Sequence, residues 1–210
     1  MQNHQGTLFI ISAASGVGKT SLVKIIINKL DNIMLSTSHT TRIKRPKEQD
    51  GVDYFFVSTE QFLNMENTKE FLETTKIFDN YYGTSKKFVL NTLKQGIDII
   101  LEIDYQGTKQ IKQQFDKSDV NCLSIFILPP SLKILSDRLK KRNQDDFNVI
   151  QKRLNNAKKE MLNYSHYDYL IINDDFNKAV QDISNIIYAE RLTVSKQQCV
   201  HAQLLNNLLT

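Results

Sequence analysis

Apolar residues are grouped along the chain in short continuous runs that alternate with longer segments of helical periodicity. The runs that we expect to be strands are residues 8–11, 97–103, 123–128 and 169–172. Runs that are apolar at nearly every position are typical of parallel strands covered on both faces. After the first run comes a helical pattern that starts near residue 20, and the later helical segments are residues 106–115, 131–139, 149–162 and 176–192. This alternation predicts an α/β fold, a three-layer doubly wound parallel sheet.

The alternation is interrupted between residues 37 and 94. This segment is rich in Thr, Arg, Lys and Tyr, and its apolar runs are short, such as residues 54–57. We therefore expect a mixed α+β lobe of residues 37–94 inserted into a core of residues 1–36 and 95–192. The remaining tail, residues 193–210, carries leucines at helical spacing that can pack on the core or on a second subunit of a homo-oligomer.

Composition narrows the class of protein. The chain has 210 residues with a net charge of +4, too small for the basic surface of a nucleic-acid-binding protein. No apolar run approaches the roughly 20 residues of a membrane span, and the N-terminus does not resemble a signal peptide. Cys122 and Cys199 form no metal-binding spacing and no disulfide framework. We expect a cytoplasmic protein that binds neither nucleic acid nor membrane.

A glycine-rich loop lies between the first strand and the first helix. Its residues are Ala13, Ala14, Ser15, Gly16, Val17, Gly18, Lys19 and Thr20. A loop that leads into a helix N-terminus directs backbone N–H groups into a concavity where the helix dipole favours anions. Lys19 adds a charge for the outer phosphates, and the Thr20 hydroxyl is a candidate ligand for Mg²⁺. The pattern predicts binding of a nucleoside triphosphate. One position departs from it: Ala13 stands where the motif has glycine, and alanine is tolerated there only at a negative φ.

The inserted lobe contains candidates for a second, phosphorylated substrate. Arg42 and Arg45 are three residues apart and are followed by Glu48, and paired guanidinium groups bind phosphate with fixed geometry. Such a pair is also common in a solvated basic patch. Glu73 stands in an apolar stretch, and a carboxylate matches the two adjacent N–H donors of guanine, which adenine lacks. An outward-facing strand residue is the alternative for Glu73.

In their order along the chain, these residues resemble the guanylate kinase family, especially its bacterial members. The matching positions are residues 15–20, 38–42, Arg45, Glu48, 54–57, 80–84, 102–107, 127–130, Arg138, Arg142 and 173–175. The resemblance implies transfer of the γ-phosphoryl group of ATP to GMP, with a small lid at about residues 140–155.

The resemblance also implies roles for individual residues. Catalytic roles fall to Lys19, Arg42, Asp104, Arg138 and Arg142. Asn173 is expected near the adenine of ATP. GMP is expected to be held by Ser38, Arg42, Arg45, Glu48, Tyr54, Glu73, Tyr82, Thr84, Asp104 and Arg153.

Several letters depart from the common family pattern. Besides Ala13, they are Lys44, Lys47, Glu102 and Asn143. None removes a charge that the mechanism needs. Two other functions stay open: a P-loop kinase for another phosphate ester, such as a ribose bisphosphate, and a non-catalytic binding module. Binding modules that resemble this family have typically lost the loop lysine or the phosphate arginines, which this chain keeps.

Overall fold

A computed structural model of the protein describes residues 5–77, 79–141 and 147–210. The strands are β1 (Leu8–Ala13), β2 (Ile33–Leu35), β3 (His39–Thr40), β4 (Phe55–Phe56), β5 (Phe71–Ile77), β6 (Asn80–Ser85), β7 (Asp98–Glu102), β8 (Cys122–Leu128) and β9 (Tyr169–Ile172). The helices are α1 (Lys19–Lys29), α2 (Thr59–Asn67), α3 (Lys86–Lys94), α4 (Tyr105–Phe115), α5 (Leu132–Lys141), α6 (Phe147–Met161), α7 (Phe176–Arg191), α8 (Val194–Val200) and α9 (Ala202–Leu209). A short 3-10 helix spans Leu162–His166.

The core is a parallel sheet with the strand order β2-β7-β1-β8-β9. Side chains of β1 alternate between two apolar layers, as the pleat requires. Phe9 and Ile11 pack in a cluster that includes residues of α1 and α7, whereas Leu8 and Ile10 pack with residues of α3 and α4. Helices thus cover both faces of the sheet, and the predicted doubly wound α/β class is confirmed.

A second, mixed sheet lies in the segment that interrupts the alternation, in the order β4-β3-β6-β5. Its two faces differ in chemistry. On one face His39 stacks on Phe55, and Phe71 stacks on Phe62 of α2. The other face carries polar side chains, among them that of Thr84. The aromatic face is held by packing, whereas the polar face carries hydrogen-bonding side chains.

This second sheet is attached to the core through β5. Leu72 belongs to the same apolar cluster as Leu8 and Ile10, while the neighbouring Glu73 pairs with Thr84 of β6. A register irregularity between Phe71 and Glu73 accompanies this change of partners. One strand therefore contributes both to the core and to the polar face.

The tail forms α8 and α9, and no residue of either helix is buried. Leu204, Leu208 and Leu209 of the predicted apolar stripe are exposed to solvent. These three side chains therefore do not pack on the core, whereas Leu205 of the same stripe is partly buried. Among the described residues, no helix is long and apolar enough to cross a membrane.

Candidate functional site

The glycine-rich loop connects the end of β1 to the first turn of α1. Gly16 and Gly18 have φ values of 91° and 107°, in the left-handed region that favours glycine. A Cβ on Gly16 would also lie 2.7 Å from Cδ2 of Leu139, so the glycine permits close approach of α5. Ala13 is not among the residues with positive φ. The condition for tolerating alanine at that position is therefore met.

Lys19 lies among three carboxylates. Burial lowers its pKa below the ordinary value, and Glu102, Asp104 and Glu160 oppose this shift. Glu102 ends β7 next to β1, and Asp104 begins the turn into α4. Burial raises the pKa of Glu160, and the nearby backbone N–H of Ser15 opposes this shift. Lys19, which the sequence predicts to bind phosphate, thus has negatively charged groups around it.

Glu160 is a site residue that the sequence did not reveal. It lies on α6, three residues after Ala157, which is buried in the same apolar cluster as Val17 of the loop. Arg153, Ala157 and Glu160 share one helical face, since residues four and three apart are neighbours on a helix. This spacing is visible in the sequence. It points to the phosphate-binding loop only because Ala157 is buried in the same apolar cluster as Val17.

The carbonyl of Val17 is held by two side chains. Nδ2 of Asn173 donates to it at 2.8 Å and Nη1 of Arg138 at 3.0 Å. Nη2 of Arg138 also donates to the carbonyl of Asn173 at 3.1 Å. Arg138 therefore lies at the loop, joining it to the residue that follows β9. Asn173 is buried, and within the described part of the chain its Oδ1 has no hydrogen-bond partner.

Glu73 is buried on the polar face of the second sheet, with 3% of its surface exposed. The hydroxyl of Thr84 donates to its Oε1 at 2.6 Å. Its Oε2 faces α4, where a Cβ on Gly107 would lie only 2.7 Å away. Burial raises the pKa of Glu73 to about 7, with Asp104 adding to the shift and Thr84 opposing it. The alternative of an outward-facing strand residue is therefore wrong.

The two arginines of the lobe share one carboxylate. Nη2 of Arg42 contacts Oε1 of Glu48 at 2.7 Å, and the backbone N–H of Arg45 donates to Oε2 at 2.8 Å. The Arg42 guanidinium lies 5.4 Å from the ring centre of Tyr54, whose ring is 6.0 Å from that of Tyr82. Although burial opposes it, the Arg42 hydrogen bond lowers the pKa of Glu48. This arrangement orients Arg42 before any ligand is present.

Other predicted residues are placed less tightly. Ser38 and Arg153 are partly exposed, and the backbone carbonyl of Ser38 accepts from Phe55 in the lobe sheet. Ser15 and Thr20 are exposed, as phosphate and metal binding requires. Arg142 and the departure Asn143 lie outside the described residues.

The residues near Thr20 suit a hydrated Mg²⁺. Thr20 offers a hydroxyl, and Glu102 has a buried Oε1 that, among the described residues, has no hydrogen-bond partner. Mg²⁺ usually keeps several waters and takes few protein ligands. Within the described residues, no group of three or more His, Cys, Asp or Glu side chains forms a metal cage. The donors present fit an ion held chiefly by substrate phosphates.

Comparison with known proteins agrees with this geometry. A family model described as guanylate kinase matches residues 5–190. The chain is 50% identical to a guanylate kinase of Saccharophagus degradans over 98% of both chains, and 48% identical to one of Coxiella burnetii over 98% of both. A crystal structure of guanylate kinase from Anaplasma phagocytophilum has a TM-score of 0.76 at 30% identity and covers 93% of this chain and 92% of its own.

Proposed function

Because the chain belongs to the guanylate kinase family, we propose specific roles for the residues of its charged cleft in the reaction of that family. The protein is an ATP:GMP phosphotransferase that moves the γ-phosphoryl group of ATP to GMP, giving ADP and GDP. The observation that carries the assignment of substrate sites is the buried Glu73. Thr84 is one donor to this buried carboxylate, and a ligand with N–H groups can supply further donors.

The loop of residues 13–20 would bind the phosphates of ATP. Its N–H groups and Lys19 supply positive potential, and Arg138 at the Val17 carbonyl lies close enough to move onto a transferring phosphate. Transfer of a phosphoryl group through a loose transition state requires alignment and positive charge more than a strong base. The acceptor is itself an anionic phosphate oxygen, so Asp104 would orient bound water instead of removing a proton.

The second sheet would bind GMP. Arg42, oriented by Glu48, and Arg45 would hold the phosphate together with the hydroxyls of Tyr54 and Tyr82. Guanine would then reach Glu73, which accepts its N1–H and amino N–H, while Ser38 and Thr84 complete the contacts. Arg153 on α6, and Arg142 in the lid of about residues 140–155, would approach when both nucleotides are bound. Such closure also excludes water, which would otherwise hydrolyse ATP.

Mg²⁺ would be held by the Thr20 hydroxyl and the phosphates, with water between the ion and Glu102 or Asp104. When bound, it would neutralise charge on the β- and γ-phosphates. Asn173 would lie at the adenine side of the loop. We also place the protein in the cytoplasm, where both substrates occur, and assign residues 1–36 and 95–192 to the core and 37–94 to the GMP lobe. The exposed stripe of α9 suits contact between copies in a homo-oligomer.

The test is an assay of ADP formation with ATP, Mg²⁺ and each of GMP, deoxy-GMP, AMP, CMP, UMP and a ribose bisphosphate. We expect turnover with GMP and little with AMP. Lys19→Ala should lower turnover at least about 100-fold without unfolding, because a preorganised charge at the phosphates is lost. Lys24→Ala, an exposed change on the same helix, should be neutral. Comparable turnover with AMP, or an active Lys19→Ala variant, would overturn the assignment.

A further inference from the structure

Three hydroxyl groups meet beside the backbone of Ile103 and Asp104. Ser12 Oγ lies 3.3 Å from Thr108 Oγ1, and Thr108 Oγ1 lies 3.1 Å from the hydroxyl of Tyr167. Ser12 and Thr108 are buried, with 1% and 2% of their surfaces exposed. The three come from distant segments: the end of β1, the first turn of α4 and the residue after the 3-10 helix. The proposed reaction assigns no role to any of them.

Counting protons fixes the direction of these hydrogen bonds. The hydroxyl of Ser12 donates to the carbonyl of Ile103 at 2.7 Å, and that of Thr108 donates to the carbonyl of Asp104 at 2.8 Å. Each hydroxyl has one proton, so neither is free to donate to the other or to Tyr167. The Tyr167 hydroxyl must therefore be the donor, with Thr108 Oγ1 as its acceptor.

These bonds determine how Asp104 is presented to the cleft. Two successive carbonyls, of Ile103 and Asp104, are held by Ser12 and Thr108, which restrains the peptide planes before and after Asp104. The Oδ1 atom of Asp104 also accepts from the backbone N–H of Gly107 at 2.9 Å. The carboxylate is thus restrained through both its backbone and its side chain.

Tyr167 itself is anchored independently of any nucleotide. Its ring packs 4.9 Å from that of Phe126 on β8, and the next residue, Asp168, accepts from the backbone N–H and hydroxyl of Ser124 on the same strand. The 3-10 helix before Tyr167 continues from α6, which carries Arg153 and Glu160. The hydroxyl therefore connects the central sheet and the end of α6 to the segment that bears Asp104.

We propose that Tyr167 is a positioning residue for phosphoryl transfer: its hydroxyl, through Thr108, holds Asp104 in the geometry required in the transition state. This inference rests on the role proposed above for Asp104. The Tyr167 hydroxyl reaches Asp104 through Thr108 and the Asp104 carbonyl, so we expect it to contribute to the alignment of bound nucleotides and not to their affinity. The expected signature is a lower kcat at an unchanged KM.

The first test is Tyr167→Phe, which keeps the ring and removes one donor. We expect kcat to fall roughly five- to tenfold, the usual effect of losing one buried neutral hydrogen bond, with KM for ATP and GMP within about twofold of wild type. Tyr188→Phe is the matched control, because Tyr188 is exposed on α7. Wild-type kcat in Tyr167→Phe, or a loss confined to KM, would refute the proposal.

A second series tests the path through Thr108. Thr108→Val removes the hydroxyl at nearly constant shape and should lower kcat at least as much, whereas Thr108→Ser should restore it. The double variant Tyr167→Phe/Thr108→Val should be no slower than Thr108→Val alone, because both changes break one path. Additive losses, or no rescue by serine, would contradict the path. Asp104→Asn tests the role of Asp104 separately from that of Tyr167. Wild-type kcat in Asp104→Asn would refute the role proposed for Asp104.

Discussion

Replacing Glu73 by glutamine tests the centre of the proposed GMP site. The variant keeps the shape of the side chain and an acceptor for the Thr84 hydroxyl, now 2.6 Å from Oε1. It removes the charge and places an NH₂ group near Gly107, where the structure has a carboxylate oxygen. Guanine would then meet one acceptor and one donor in place of two acceptors.

The same change has a calculable effect on the free energy of unfolding. Burial raises the pKa of Glu73 from 4.5 to about 7. The folded protein therefore binds this proton more tightly than the unfolded chain, and wild type loses stability as pH rises from about 4.5 to about 7. The full shift corresponds to about 3 kcal/mol. Relative to wild type, the neutral variant should therefore gain about 2–3 kcal/mol between pH 5 and pH 8.5.

Catalysis should respond in the opposite sense. One mispaired donor of guanine costs about 1–3 kcal/mol, so KM for GMP should rise roughly five- to 150-fold at pH 8 while KM for ATP stays constant. In wild type, KM for GMP should also rise as pH falls below about 7, because protonated Glu73 accepts only poorly. The phosphate of GMP titrates nearby, with a pKa of about 6. Because Glu73→Gln has no titrating group at residue 73, the pH profile of its KM for GMP gives the contribution of the GMP phosphate.

The assay is steady-state kinetics from pH 5.5 to 8.5 on both proteins, with urea unfolding at the same pH values. A wild-type profile of KM for GMP that parallels that of Glu73→Gln would show that Glu73 does not titrate in this range. Unchanged preference for GMP over AMP in the variant would remove Glu73 from base recognition. Either result would refute the reasoning from burial to specificity.

Two further predictions follow from close contacts in the cleft. Gly107→Ala should raise KM for GMP at least about tenfold and leave KM for ATP near wild type. The reason is that the new Cβ would lie 2.7 Å from Oε2 of Glu73. An unchanged KM for GMP would show that the carboxylate moves aside freely. Glu160→Gln should tighten ATP binding about two- to fivefold by calorimetry without GMP, because the carboxylate competes with phosphate for the Ser15 N–H and Lys19. Weaker ATP binding would contradict this and would show that Glu160 stabilises the loop. The control is Glu60→Gln, an exposed change on α2, which should bind ATP like wild type.

The core was predictable because its strands are apolar on both faces. The predicted strand at residues 169–172 coincides with β9, and the run at 123–128 differs from β8 by one residue. The edge strand β2 was missed. It has only three residues, and Met34 at its centre is 41% exposed, so it lacks the long apolar run that marks an inner strand.

The sequence predicted a mixed α+β lobe but not the bounds of its individual strands. Short strands such as β3 and β4 have two residues each, and no periodicity can be recognised over that length. The position of Glu73 was undecided from sequence because alternation along β5 is broken at its start. Only pairing with β6 shows which face the carboxylate occupies.

The α/β class and the glycine-rich loop could be read from the sequence alone, which also gave candidate residues for both nucleotide sites. These depend on local geometry and composition: glycines at positive φ, a lysine at a helix start, and apolar runs. Tertiary structure alone decided that Glu73 is buried, that Glu160 from α6 lies near Lys19, and that the Tyr167 hydroxyl contacts Thr108. Each depends on contacts between segments far apart in the chain, and the burial that sets charge and hydrogen bonding exists only once those segments pack.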